Sequence, residues 1–109
     1  MISDIKTISL PVEQELLTNI EFNLNMGGAD YTFLIQKNQF DELYYMSVFL
    51  GDETMLATGI LLTQYNNLLA GEIIGGWEMY VQHKTDPDKN RPVDTEYFNE
   101  WNIIYGHSI

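Results

Sequence analysis

No cysteine occurs in the 109 residues. Disulfides, zinc–thiolate centres and cysteine nucleophiles are therefore excluded, and stability must come from packing and backbone pairing. Basic residues are also scarce. Five Lys and Arg stand against 16 Asp and Glu, a formal net charge of −11 and a pI of about 4.2. Such a chain is a poor direct binder of DNA or RNA, because neutralising phosphates needs clustered Lys and Arg. An anionic membrane surface repels it for the same reason. Long apolar runs are missing too, and none approaches the roughly 20 residues of a membrane span. The N-terminal MISDIKTISL has no basic region followed by an apolar one, so no secretory signal is expected. No Asn-x-Ser/Thr glycosylation acceptor is present.

What is there is a foldable core. Hydrophobic residues make up 45% and aromatics 13%, too many for a charge-swollen coil. The length suits one domain spanning residues 1–109, with a single modest core.

Periodicity predicts strands. Ile20, Phe22, Leu24 and Met26 alternate with Glu21, Asn23 and Asn25, giving one dry face and one wet face. Gly27-Gly28-Ala29-Asp30 is a turn signal, and Tyr31, Phe33 and Ile35 then resume the alternation, so the pair reads as a hairpin. Asn38 to Glu42 is a polar turn with Phe40 as its one large apolar residue. Leu43 to Leu50 is apolar almost throughout and suits a central strand buried on both faces. Gly51 to Thr54 closes another hairpin into Met55 to Leu62, where Gly59 predicts a bulge or a close backbone approach. Gly75-Gly76 precedes Trp77 and lets the chain turn into a strand on which Trp77, Met79 and Val81 share a face. The last strand runs from about Trp101 to Tyr105. Helix signals are limited to Pro11–Asn19 and one turn near Thr95–Glu100. The expectation is all-β: one small antiparallel barrel or sandwich of six to seven strands, with at most one or two short helices.

Catalytic and metal signals are weak. Asp86, Asp88 and Asn90 match the first ligand positions of a calcium loop, but Arg91 stands where a glycine is needed and Tyr97 where a bidentate glutamate is needed. The stretch reads as a solvated Asp/Pro turn. His83 and His107 sit in no motif, and none of the four serines lies in a Gly-x-Ser-x-Gly elbow. Gly75-Gly76 is no phosphate loop, because no Gly-Lys-Ser/Thr follows. No catalytic residue, cofactor or metal ligand is assigned. The loop from His83 onward carries three of the five basic residues and is a near-neutral island on an acidic chain. Loops of this kind often carry contacts.

Several segments taken in order resemble the baseplate plug family of contractile-tailed phages, the cyanophage type. They are Leu10-Pro11, Phe22-x-Leu24 and Tyr31-x-Phe33-x-Ile35, followed by Asp41-Glu42-Leu43-Tyr44-Tyr45-Met46-Ser47. Next come Leu56-Ala57-Thr58-Gly59-Ile60-Leu61-Leu62 and Asn67-Leu68-Leu69-Ala70, then the Gly75-Gly76 pair and the terminal Ile104-Tyr105-Gly106. The resemblance implies a structural virion protein rather than an enzyme. It would be made in the host cytoplasm and located in the tail baseplate. It would contact hub, spike and tail-tube proteins, in several copies around a symmetry axis.

Two irregular segments that mix charge with apolar groups are the expected contact regions. One contributes Tyr65, Asn67 and Leu68, the other His83, Lys84, Asp86, Lys89, Arg91 and Asp94. The alternative reading is a small carbohydrate-binding β domain or β-fold enzyme. That reading requires an aromatic-lined groove with a carboxylate pair inside.

Overall fold

A computed structural model describes residues 2–9, 19–51, 53–64, 66–71, 73–85 and 101–108. Among the described residues there are seven strands: β1 (Ile2–Ser9), β2 (Asn19–Met26), β3 (Ala29–Lys37), β4 (Tyr44–Leu50), β5 (Thr54–Leu61), β6 (Trp77–His83) and β7 (Trp101–Ser108). They form two antiparallel sheets, ordered β1-β7-β6 and β2-β3-β4-β5. The sheets do not close on one another, so of the two expected architectures the chain adopts the sandwich. Among the described residues there is no helix. Both expected helices lie outside the described residues, except that Asn19 opens β2.

Alternation sets the core. Phe33 and Ile35 of β3, Tyr44, Met46 and Val48 of β4, Met79 and Val81 of β6, and Trp101 and Ile103 of β7 are all buried. Register keeps them on matching faces: Phe33 opposes Val48, Ile35 opposes Met46, and Val81 opposes Ile103. A one-residue slip in any pair would turn these side chains to water. Phe22 and Phe33 are also cross-strand partners, and their rings stack at 5.2 Å. Leu62, Leu68, Leu69 and Ile74, from the segment between β5 and β6, complete the core.

Two sites break the ladder regularity. The register between β1 and β7 shifts between Ser3 and Lys6, where Asp4 has φ of 54°. The register between β4 and β5 shifts twice, between Met46 and Val48 and between Val48 and Phe49. Gly59, φ 71°, lies in the first of these shifts, as its place inside an apolar run predicts. β4 is less covered than expected. Its inward residues are buried, but Tyr45 and Phe49 on the other face are half-buried and Leu50 is exposed.

Candidate partner-binding surfaces

The segment expected to carry contacts between β5 and β6 is held inward. Asn67 Oδ1 accepts from the backbone N–H of Leu69 at 3.0 Å and of Met79 at 3.1 Å. The Leu68 N–H donates to the Met79 carbonyl at 2.7 Å. Asn67 therefore ties this segment to the edge of β6, and Leu68 is buried in the core. His83 is buried as well. Its backbone N–H donates to Gln64 Oε1, and its ring meets Trp101 edge-on at 5.2 Å. The exposed residue of this set is Lys84. Tyr65, Asp86, Lys89, Arg91 and Asp94 lie outside the described residues.

The sequence held a signal for His83. Trp77, Met79 and Val81 alternate on the core face, and the same period extended two residues reaches His83. Its imidazole packs as the last inward side chain of β6.

A second surface lies on the outer face of the four-stranded sheet. Gln36, Lys37, Asn38, Tyr45, Ser47, Thr58 and Gly59 line an open groove of about 530 Å³. The Ser47 and Thr58 hydroxyls pair across it at 2.8 Å. These residues include one aromatic ring and no carboxylate. They are not the aromatic groove with paired carboxylates that a glycosidase-like site needs.

A third surface is the turn joining β3 to β4, at one end of this groove. Asn38 and Leu43 bridge it through the backbone at 2.8 Å, and the Glu42 N–H donates to the Asn38 carbonyl at 2.8 Å. Side chains add three more bonds. Asn38 Oδ1 accepts from the Phe40 N–H, Asp41 Oδ1 from the Leu43 N–H, and Asp41 Oδ2 from the Tyr45 hydroxyl at 2.6 Å. The Tyr45 hydroxyl bond holds the Asp41 carboxyl below its ordinary range, with the Leu43 amide adding to the effect. The same bond raises the Tyr45 phenol. Phe40, at the tip, is 99% exposed.

On the three-stranded sheet, Tyr80 donates to Glu78. That bond pushes the Tyr80 phenol up to about 12, with burial adding to it, and it lowers Glu78, which the Ser108 hydroxyl also stabilises.

Among the described residues no group of three or more His, Cys, Asp or Glu is placed to hold a metal ion. Among them, too, no helix is long and apolar enough to cross a membrane.

The family model described as cyanophage baseplate Pam3 plug gp18 matches residues 7–107. The chain belongs to the baseplate plug family. Comparison with curated proteins and with solved structures gives no significant match. Family membership supports a structural role in a phage tail baseplate and association with other baseplate components.

Proposed function

We propose that this protein closes or organises the central tail assembly through protein–protein contacts and does no chemistry of its own. The family match over residues 7–107 is the observation that carries this reading. Partners are expected to be hub, spike and tail-tube subunits, with several copies arranged around the tail axis. The fold suits such a role. Among the described residues each sheet ends in two edge strands, β1 and β6 in one, β2 and β5 in the other, and the segment carrying Gln64, Asn67 and Leu68 already bonds along the edge of β6. An unpaired edge, such as that of β5, can add a strand from a neighbour. In the segment expected to dock, Lys84 and Thr85 are the described residues that face solvent. Lys84 and residues 86–94 remain the proposed contacts there.

The acidic surface has a use in this setting. Asp4, Glu21, Asp30, Asp41, Glu42 and Glu53 are all exposed. A protein beside a DNA-conducting tube should not retain the DNA, and exposed carboxylates repel phosphate.

Mass spectrometry of purified virions from the source phage tests the reading. The chain should be found in the particle at a stoichiometry matching a symmetric baseplate position. Its absence from the particle would end the proposal.

A further inference from the structure

Among the described residues Phe40 is the most exposed of the large apolar side chains, at 99%, and it sits on a turn crossed by several hydrogen bonds. An exposed phenylalanine on a floppy loop would carry little information, since surface apolar residues are common. This one is different because of its frame. Five hydrogen bonds cross the six residues from Asn38 to Leu43 or anchor them to β4. In two of them the Phe40 and Leu43 amides donate to the Asn38 and Asp41 side-chain oxygens. Glu42 is held at φ of 60°, a conformation that L-residues adopt at a cost. The frame fixes the Cα–Cβ direction of a side chain that adds nothing to the core.

Aromatic side chains on a pre-organised backbone suit binding hot spots. They supply a large apolar area, and only the ring's own side-chain torsions are left to order on binding. The immediate surroundings define the other side of the contact. Asp41 and Glu42 follow Phe40 directly, and both are exposed. A partner surface must therefore offer an apolar pocket for the ring and positive charge around its mouth. A second copy of this chain is a poor candidate, because its net charge is −11.

We propose that Phe40 is an anchor that inserts into an apolar, Lys/Arg-rimmed pocket on a different protein subunit. The proposal rests on the baseplate reading for the identity of that subunit, but not for the existence of the contact.

Two measurements test it. In the first, phages carrying Phe40→Ala, Phe40→Trp or Gln39→Ala are purified, and the chain is counted per particle by targeted mass spectrometry. Phe40→Ala should lower incorporation more than about tenfold, as loss of a hot-spot aromatic does. Phe40→Trp should retain most of it, and Gln39→Ala should match the wild type. The thermal midpoint of the isolated Phe40→Ala chain should be unchanged. Wild-type incorporation of Phe40→Ala would overturn the proposal.

In the second, p-benzoylphenylalanine is placed at position 40 and, as a control, at the exposed position 21 in infected cells. The expected product is a position-40 crosslink to a different protein, mapped to an apolar residue flanked by Lys or Arg. Crosslinks to a second copy, to an acidic surface, or no more than at position 21, would overturn the proposal. If the wild-type chain is absent from virions, the baseplate reading fails, and the crosslink alone decides the fate of the anchor.

Discussion

A Cβ on Gly106 would overlap the backbone carbonyl oxygen of Ser3. The contact sits at the register shift between β1 and β7, where Asp4 and Ile5 have no regular partners on β7. Gly106 is buried under this crossing, and only a residue without a side chain admits β1 so closely.

Gly106→Ala should therefore displace β1 or strain the bulge. The obstacle is backbone rather than a flexible side-chain end, so relaxation is costly, and a loss of about 1–3 kcal/mol is expected. Urea denaturation checks this. An unchanged midpoint would mean that β1 shifts freely, and hydrogen exchange of the Lys6 to Ile8 amides would then show it.

Much of the fold was legible, and the reasons are specific. Ile20 to Met26 and Tyr31 to Ile35 alternate around a Gly-Gly turn, and they form the β2–β3 hairpin in that register. Gly59 in an apolar run signalled its bulge. The order β1-β7-β6 was not legible, because pairing residues 2–9 with 101–108 is a long-range event that local pattern does not encode. The contact regions were less legible. Asn67 and His83 look like polar loop residues, but Asn67 serves backbone amides and the His83 ring packs on a buried aromatic. Polarity in a short loop does not separate a group that ties the chain to itself from one that faces a partner. Phe40 was visible as the lone large apolar residue in a polar turn. Its complete exposure depends on the backbone of residues 38–43, which local pattern does not encode.

Two phenylalanines seven residues apart should respond oppositely to truncation. Phe33 is fully buried and stacks on Phe22, so Phe33→Ala should cost about 3–5 kcal/mol. Phe40→Ala leaves no cavity, and its effect on stability should stay within about 0.5 kcal/mol. Equilibrium denaturation of both variants is the check. A large loss in Phe40→Ala would show that the ring packs on the fold, which its exposure denies.

Tyr80 should titrate near pH 12 in an absorbance titration at about 295 nm, where tyrosinate absorbs. Glu78→Gln should bring it back towards 10 by removing the charged acceptor. The linkage has a definite sign. The folded-state pKa is raised, so the stabilisation is complete below the unfolded value near 10 and is lost as pH rises through about 12. The denaturation midpoint should therefore fall more steeply between those values in the wild type than in Tyr80→Phe.

At the acid end, Asp41 gives the opposite sign. Its folded pKa is lowered below the ordinary value of 3.8, chiefly by the Tyr45 hydroxyl. Its contribution is present above that value and is lost as pH falls through the depressed folded pKa. Tyr45→Phe should flatten the wild-type fall in denaturation midpoint below about pH 4, while leaving the Leu43 amide bond to Asp41 in place. Equal acid slopes in the two proteins would show that the hydroxyl bond does not control Asp41.

Gly59 tests a different use of glycine from Gly106. No atom lies within 4 Å of where its Cβ would be, so space is not the constraint. The constraint is φ of 71°, where L-residues cost about 1–2 kcal/mol and a β-branched one more. Gly59→Val should lower the stability by at least that amount in urea denaturation, although its Cβ enters open space. The second consequence concerns the sheet edge. β5 is an edge strand, and Met55 and Leu56 on it are exposed, the composition that invites pairing with other chains. A bulge twists such an edge away from a straight template. If the Gly59→Val chain relieves its strain by straightening β5, it should self-associate, and sedimentation velocity at increasing concentration would show a growing oligomer. A variant that is destabilised but stays monomeric would mean that the bulge serves the local packing around Ser47 and Thr58, rather than protecting the edge.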